Sequence, residues 1–225
     1  IKKLIVIVGE TGSGKSALAM DIAARYNGEL ICADSWTVRR EVNIGTAKPS
    51  QEDQAKIPHH LLDVAGPDED FTAAVFKRLA VDAIEEINSR GKLPIMVGGT
   101  GLYIDGVIYD YNFLPAGDRG LREKLNELSN QELILKINEL GLDIGEIDTG
   151  NKRRLIRLIE TNGAKPTKQN LRQNTLMIGI KIDRDILQNN ITKRVDSMIG
   201  NGLEAEVRQL VNDYGWSCEA LKGIG

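Results

Sequence analysis

The sequence predicts an α/β fold: a parallel sheet flanked by helices, with an inserted helical subdomain. Three features carry that prediction. Short β-branched runs recur, each stopped by glycine or a polar turn. Helix-spaced apolar stretches lie between them, and one central block keeps helical periodicity alone. Leu4–Val8 is the first run, closed at once by Gly9, and reads as a buried parallel strand. Residues 15–26 follow as a helix, with Leu18, Ala19, Ile22 and Ala23 on one face and Asn27-Gly28 ending it. Leu30–Ala33 is a second strand and runs into Asp34-Ser35. Residues 36–69 read as irregular, punctuated by Pro49, Pro58 and Pro67. Thr72 caps the strongest helix, where Val75, Phe76, Leu79, Ala80, Ala83, Ile84 and Ile87 recur until Gly91 stops it. Leu93–Val97 is a third buried strand, ending in Gly98-Gly99-Thr100-Gly101. Strand–helix–strand alternation of this kind implies right-handed crossovers and parallel pairing.

The pattern changes between 112 and 174. Leu121, Leu125 and Leu128, then Leu133, Ile137 and Leu140, then Leu155, Ile156 and Ile159 mark helices only. The chain therefore divides into a core, 1–111 with 175–225, and a helical insertion, 112–174. Leu176–Ile182 returns to strand character, and helices over 184–199 and 202–214 flank Gly200-Asn201-Gly202. The chain opens without Met and stops at Gly223-Ile224-Gly225, which reads as a trimmed fragment with a C-terminally truncated core.

Composition excludes several classes. The 225 residues are 41% hydrophobic and 27% charged, an ordinary globular balance. The longest apolar run, Leu4–Val8, is far short of the ~20 residues that span a bilayer, so no membrane partner is expected. Ile1-Lys2-Lys3 leads straight into a strand with no signal-peptide pattern, which predicts a cytoplasmic protein. Cys32 and Cys218 make no disulfide framework and have no metal-ligand spacing. A net charge of −3 announces no nucleic-acid binding, so any such role needs a local patch.

Gly9-Glu10-Thr11-Gly12-Ser13-Gly14-Lys15-Ser16 fits G-x-x-x-x-G-K-[ST] without mismatch, between a strand and a helix. Glycines let backbone N–H groups converge on phosphate oxygens, and the helix N-terminus adds partial positive charge. Lys15 would neutralise terminal oxygens, and the Ser16 hydroxyl would hold Mg²⁺. The core is thus of the P-loop NTPase-like kind. A nucleoside triphosphatase usually carries a second strand-terminal carboxylate for the metal. The strand at 93–97 ends instead in Gly98-Gly99, and the strand-terminal acid is Asp34. The loop specifies a diphosphate or triphosphate without saying what carries it.

Further segments narrow the choice. They are Asp34-Ser35, Ile44-Gly45-Thr46-Ala47-Lys48-Pro49, Pro58-His59-His60-Leu61-Leu62-Asp63 and Gly98-Gly99-Thr100-Gly101-Leu102-Tyr103. With the phosphate loop, Lys152–Arg157, Arg194 and Gly223-Ile224-Gly225, they make the whole chain resemble the tRNA dimethylallyltransferases (tRNA isopentenyltransferases). That resemblance implies transfer of a dimethylallyl group from dimethylallyl diphosphate to N6 of the adenosine 3′-adjacent to the anticodon, releasing diphosphate. It implies that Gly9, Glu10, Thr11, Gly12, Ser13, Gly14, Lys15 and Ser16 bind the prenyl diphosphate, with Mg²⁺ as cofactor at Ser16. Thr11 matches the family threonine at the bridging oxygen, Arg194 the arginine that reaches the diphosphate from the other side, and Asp34 the general base.

An adenosine in a stacked loop must be flipped out and held, so the resemblance also implies a tRNA surface in a monomeric enzyme. Asp34, Ser35, Trp36, Thr37, Thr100, Arg122, Arg153, Arg154 and Arg157 fall at its contact positions. The charge agrees locally: residues 151–172 hold seven bases against the single acid Glu160, whereas 119–148 hold four bases against seven acids. The chain departs from the family at Trp36-Thr37-Val38-Arg39, where glutamine is usual at 37 and tyrosine at 39. Thr37 lacks an amide's donor–acceptor pair, so readout of neighbouring bases is expected to differ. His59 and His60 resemble a metal pair only superficially, since adjacent loop residues seldom ligate one ion. Three other readings compete: an adenylate-prenylating transferase, a P-loop nucleoside or nucleotide kinase using the insertion as a lid, and a non-catalytic RNA-binding module. The basic insertion and the IGTAKP spelling favour the tRNA enzyme over the first.

Overall fold

The structure is a computed structural model that describes residues 3–223; Ile1, Lys2, Ile224 and Gly225 lie outside the described residues, and with them most of the closing Gly-Ile-Gly. The chain separates into two compact units, one of Ile1–Asp110 with Gln169–Gly225 and one of Tyr111–Lys168.

In the first unit, β1 (Leu4–Gly9) leads through the phosphate loop into α1 (Lys15–Tyr26) and then β2 (Gly28–Ala33). Asn27 turns the chain between them in a left-handed conformation, φ 50°. A six-residue α2 (Gln51–Lys56), capped by Ser50, and a two-residue β3 (His59–His60) follow. These two elements lie in the stretch that sequence reading leaves irregular; both are too short for periodicity to register. Next come α3 (Ala73–Ser89), β4 (Leu93–Gly98) and α4 (Gly101–Ile108). The Thr72 side chain accepts from the Val75 N–H and starts α3 where predicted.

The sheet order is β3-β2-β4-β1, completed at its far edge by β5 (Thr175–Ile180), and every pairing is parallel. Period-two alternation divides the strands between two cores. Val6, Ile31 and Met96 face α3 and α4, where Phe76, Ile84, Ile87 and Ile104 are buried. Ile7, Leu30 and Ile95 face the opposite way, onto Ala19 and Ala23 of α1. Each large side chain so withdrawn from water contributes roughly 1.5–3 kcal/mol. The edge strand β5 is largely exposed, unlike the fully buried β2.

The second unit holds α5 (Arg119–Glu127), α6 (Asn130–Glu139) and α7 (Lys152–Glu160) around Leu125, Leu133, Ile137, Leu155 and Ile156. Each helix starts on a side-chain cap: Asp118, then Ser129 in a capping box with Glu132, then Asn151. Residues 169–174, which helical periodicity assigns to the insertion, belong to the first unit. The reason is local: the Gln169 N–H donates to Tyr109 O and the Arg172 N–H to Ile108 O, each at 2.7 Å. Two helices, α8 (Arg184–Gly200) and α9 (Leu203–Tyr214), and a short 3-10 turn at Glu219–Gly223 complete the described chain.

Candidate active site

The carboxyl ends of β1, β4 and β2 lie side by side, the edge where open α/β sheets place their ligands. Each carries one part of a single pocket. After β1, Gly12 and Gly14 adopt φ of 83° and 89°, conformations that tolerate glycine and turn the loop toward the start of α1. Gly14 offers α1 no side-chain cap, so the first N–H groups of that helix remain available to an anion. The Lys15 ammonium donates to Glu10 O at 2.7 Å, folding back over the loop. Burial lowers the Lys15 pKa, a tendency that the Asp34 charge opposes and the Arg194 charge reinforces.

Asp34 directly follows the last residue of β2 and opens a tight turn. Its Oδ1 accepts from the N–H groups of Trp36 (2.8 Å) and Thr37 (3.2 Å). Among the described residues its other oxygen has no hydrogen-bond partner. At the end of β4, Gly98 lies so close to β2 that a methyl group there would land on the Ala33 carbonyl. Thr100 then receives the turn: its N–H donates to Ala33 O, and its hydroxyl accepts from the Ser35 N–H at 3.0 Å. Thr100, expected at the RNA surface, thus holds the segment that presents Asp34.

The far wall comes from α8 and the loop before α2. Asn190 of α8 donates to Gly12 O, and Arg194 donates to Thr46 O at 3.2 Å. Thr11, Lys15, Ser16, Asp34, Thr37 and Arg194 all line this one pocket, with Cys32 and His59 also among its walls. Burial pushes the Cys32 thiol up to about 12, so it behaves as an inert small hydrophobe. A wider apolar groove between Ile199, Val207 and Trp216 brings together no such chemistry. The Ser16 hydroxyl that lines this pocket is a hard-oxygen donor of the type Mg²⁺ prefers.

Several residues stand elsewhere or differently. His59 donates its Nδ1–H to Ile57 O, while His60 Nε2 meets Glu29; the adjacent rings serve separate partners. Thr37 is buried and its hydroxyl has no hydrogen-bond partner among the described residues. Arg39 is buried too, with Nη1 donating to the carbonyls of Gly66, Pro67 and Glu69. In the second unit the basic residues stand in more than one way toward the one acid of residues 151–172, Glu160. Glu160, the one acid among seven bases, has a fully buried side chain. Arg122 pairs with it through two nitrogens (2.7 and 3.1 Å) and Arg157 through one (3.3 Å). Arg157 also donates to the carbonyls of Leu114 and Pro115. These two arginines hold the unit together, whereas Arg153 and Arg154 lie exposed on the first turn of α7. The spacing alone does not reveal this, because a buried acid and a surface acid are spelled alike.

Fold and pocket together define a P-loop α/β protein that sets a glycine-rich loop with two cationic side chains against a strand-terminal carboxylate. Comparison with known proteins narrows the class. The family model for IPP transferase matches residues 37–225. A tRNA dimethylallyltransferase of Anoxybacillus flavithermus is 41% identical over 235 residues, covering 100% of this chain and 76% of the relative. One from Staphylococcus aureus is 41% identical over 240 residues, covering 99% and 77%. Among solved structures, the full-length tRNA isopentenylpyrophosphate transferase of Bacillus halodurans superposes with a TM-score of 0.72 at 37% identity, over 99% of this chain and 74% of that one. A eukaryotic dimethylallyltransferase acting on tRNA gives a TM-score of 0.75 at 27% identity, over 96% and 57%. The chain belongs to the IPP transferase family.

Proposed function

We propose that this protein transfers a dimethylallyl group from dimethylallyl diphosphate to N6 of the adenosine 3′-adjacent to the anticodon of tRNA. The observation that carries the reading is the meeting of Thr11, Lys15 and Arg194 with Asp34 in one pocket. Diphosphate would sit on the loop N–H groups, gripped by Lys15 below and Arg194 from α8. As the C1–O bond breaks, negative charge grows on the departing oxygen; Thr11 would donate to it there, where stabilisation counts for most. The N6 lone pair forms the new bond to C1, and Asp34 would take the proton that nitrogen releases. Ser16 would hold Mg²⁺, whose positive charge would add to the stabilisation of the leaving group.

RNA would be gripped in part by Arg153 and Arg154, with Trp36 and Thr37 near the flipped base. A kinase would place a carboxylate after β4, where this chain has Gly98-Gly99. The test is direct. Protein, Mg²⁺, labelled dimethylallyl diphosphate and unmodified tRNA are incubated, the RNA is digested, and its nucleosides are separated. A labelled N6-prenyl adenosine is expected. Label appearing instead on free adenylate, or phosphate transfer from ATP with none from the prenyl donor, would refute the assignment.

A further inference from the structure

Glu206 lies on α9, and sequence patterning gives it no distinction among the acids of that helix. Its carboxylate nevertheless accepts three consecutive backbone N–H groups of the loop before α2. Oε2 takes those of Asn43 (2.7 Å) and Ile44 (2.8 Å), and Oε1 takes that of Gly45 (2.9 Å). The next residue, Thr46, offers its carbonyl to Arg194, and Thr46, Ala47 and Pro49 line the pocket. Ala47 holds a left-handed φ of 48°, a conformation that costs a non-glycine residue energy unless its surroundings impose it. A carboxylate with three charge-assisted hydrogen bonds is such an imposition.

We propose that Glu206 is a positioning residue: by fixing residues 43–45 it sets the Thr46 carbonyl that orients the Arg194 guanidinium toward the diphosphate. The proposal rests on the assignment of Arg194 as a diphosphate ligand. Glu206→Gln keeps shape but turns an amide NH₂ against a loop N–H, because one side-chain atom that must accept can then only donate. Misplacing a catalytic group by an ångström costs on the order of 100-fold, so Glu206→Gln is expected to lower kcat/KM for the prenyl donor roughly 10- to 100-fold. KM for tRNA should stay near the wild-type value. Glu206→Asp, which keeps the charge but shortens the reach, should fall between.

The experiment is a double-mutant cycle with Arg194→Ala, reading donor kcat/KM, inorganic diphosphate affinity and thermal unfolding for each folded variant. If Glu206 acts through Arg194, adding Glu206→Gln to Arg194→Ala changes donor kinetics and diphosphate affinity by less than about twofold, since coupled residues are not additive. The full Glu206 effect persisting without Arg194 would overturn the proposal. So would Glu206→Gln or Glu206→Asp variants that unfold at a lower temperature yet transfer at the wild-type rate. Wild-type kinetics in Arg194→Ala alone would instead overturn the underlying assignment of Arg194, which separates the two failures.

Discussion

Replacing Asp34 by Asn probes the chemistry with the least disturbance of the fold. The two N–H groups that fix the carboxylate, from Trp36 and Thr37, both go to Oδ1. An asparagine carbonyl can accept both in the same geometry, though more weakly than a carboxylate, so the turn after β2 keeps its shape. What changes is the second oxygen, which becomes an NH₂ that can only donate and so confronts the N6–H₂ donor it should relieve. Losing a general base typically costs 10²–10⁴-fold in rate, or about 3–5 kcal/mol in the barrier. A second consequence follows from charge. Asp34 raises the Lys15 pKa against the downward pull of burial, so neutralising it drives the Lys15 pKa lower still. Donor binding by Asp34→Asn should therefore weaken at a lower pH than in the wild type. The assay is single-turnover transfer at saturating tRNA across a pH series, with tRNA affinity measured separately by filter binding. Transfer should fall by two orders of magnitude or more while tRNA affinity changes by less than about threefold. Transfer within about threefold of wild type at neutral pH would refute the role of Asp34.

Other perturbations separate neighbouring roles. Lys15→Ala should raise the donor KM because the ammonium grips diphosphate throughout, whereas Thr11→Ala should lower kcat more than it weakens binding; steady-state kinetics on both variants reads the split. Neutralising Arg153 and Arg154 should reduce the magnitude of the slope of log tRNA affinity against log salt by roughly 0.7–0.9 for each phosphate no longer neutralised, and an unchanged slope removes α7 from the RNA surface. Gly98→Ala should destabilise by roughly 1–3 kcal/mol in chemical denaturation, because the added methyl meets Ala33 backbone that cannot rotate away. Glu29 is buried, and although burial raises its pKa, hydrogen bonds from Lys92 and His60 with the Arg90 charge bring it down to about 2. Its folded pKa is depressed, so its stabilisation is complete above the ordinary carboxylate range, about 4.5, and is lost as pH falls toward 2. Glu29→Gln should remove about 2–3 kcal/mol of stability at neutral pH and flatten the acid limb of the unfolding free energy.

The sheet and its flanking helices were readable because each strand is a β-branched run between turn residues and each long helix has an apolar face. The same logic explains what was not readable. No local pattern marks β3, which is two residues long and exists because Leu30 and Ile31 offer it a partner edge. The helix α4 begins within the glycine-rich GGTGLY segment, where turn chemistry is the stronger local signal. At the site, the phosphate loop and Asp34 announced themselves through position after a strand. The tie between Arg194 and Thr46 spans 148 residues of sequence and the clamp of Glu206 on Asn43 spans 163, distances over which no spacing rule operates. Arg122 and Arg157 were indistinguishable in sequence from Arg153 and Arg154. What sets the first two apart is Glu160, whose burial beside Gly117 depends on how the three helices of the second unit pack.

Lys48 shows why two of the most recognisable segments occur together. Its side chain is 4% exposed, and its ammonium donates to Arg39 O (2.8 Å), Asn43 Oδ1 (2.9 Å) and Asp63 Oδ1 (2.6 Å). An ammonium has three protons, and here each has one acceptor, the condition under which burying a charge is tolerable. The lysine belongs to IGTAKP and the aspartate to PHHLLD, so the two segments are joined by one ion pair whose lysine is buried and whose aspartate is partly exposed. Around it Glu41, Ala47, Leu61 and Asp63 all take left-handed backbone conformations, with φ between 48° and 67°. Such residues persist only where surrounding contacts over-determine them. Lys48 does this from inside the loop and Glu206 from α9. The distinctive spelling of these segments therefore reflects the support of the pocket wall. Asp34 and Arg194, to which the chemistry is assigned, stand in short and ordinary contexts. Removing Lys48 would leave Asp63 unpaired and free the strained turns together, which ties the geometry of the pocket to a residue that does not line it.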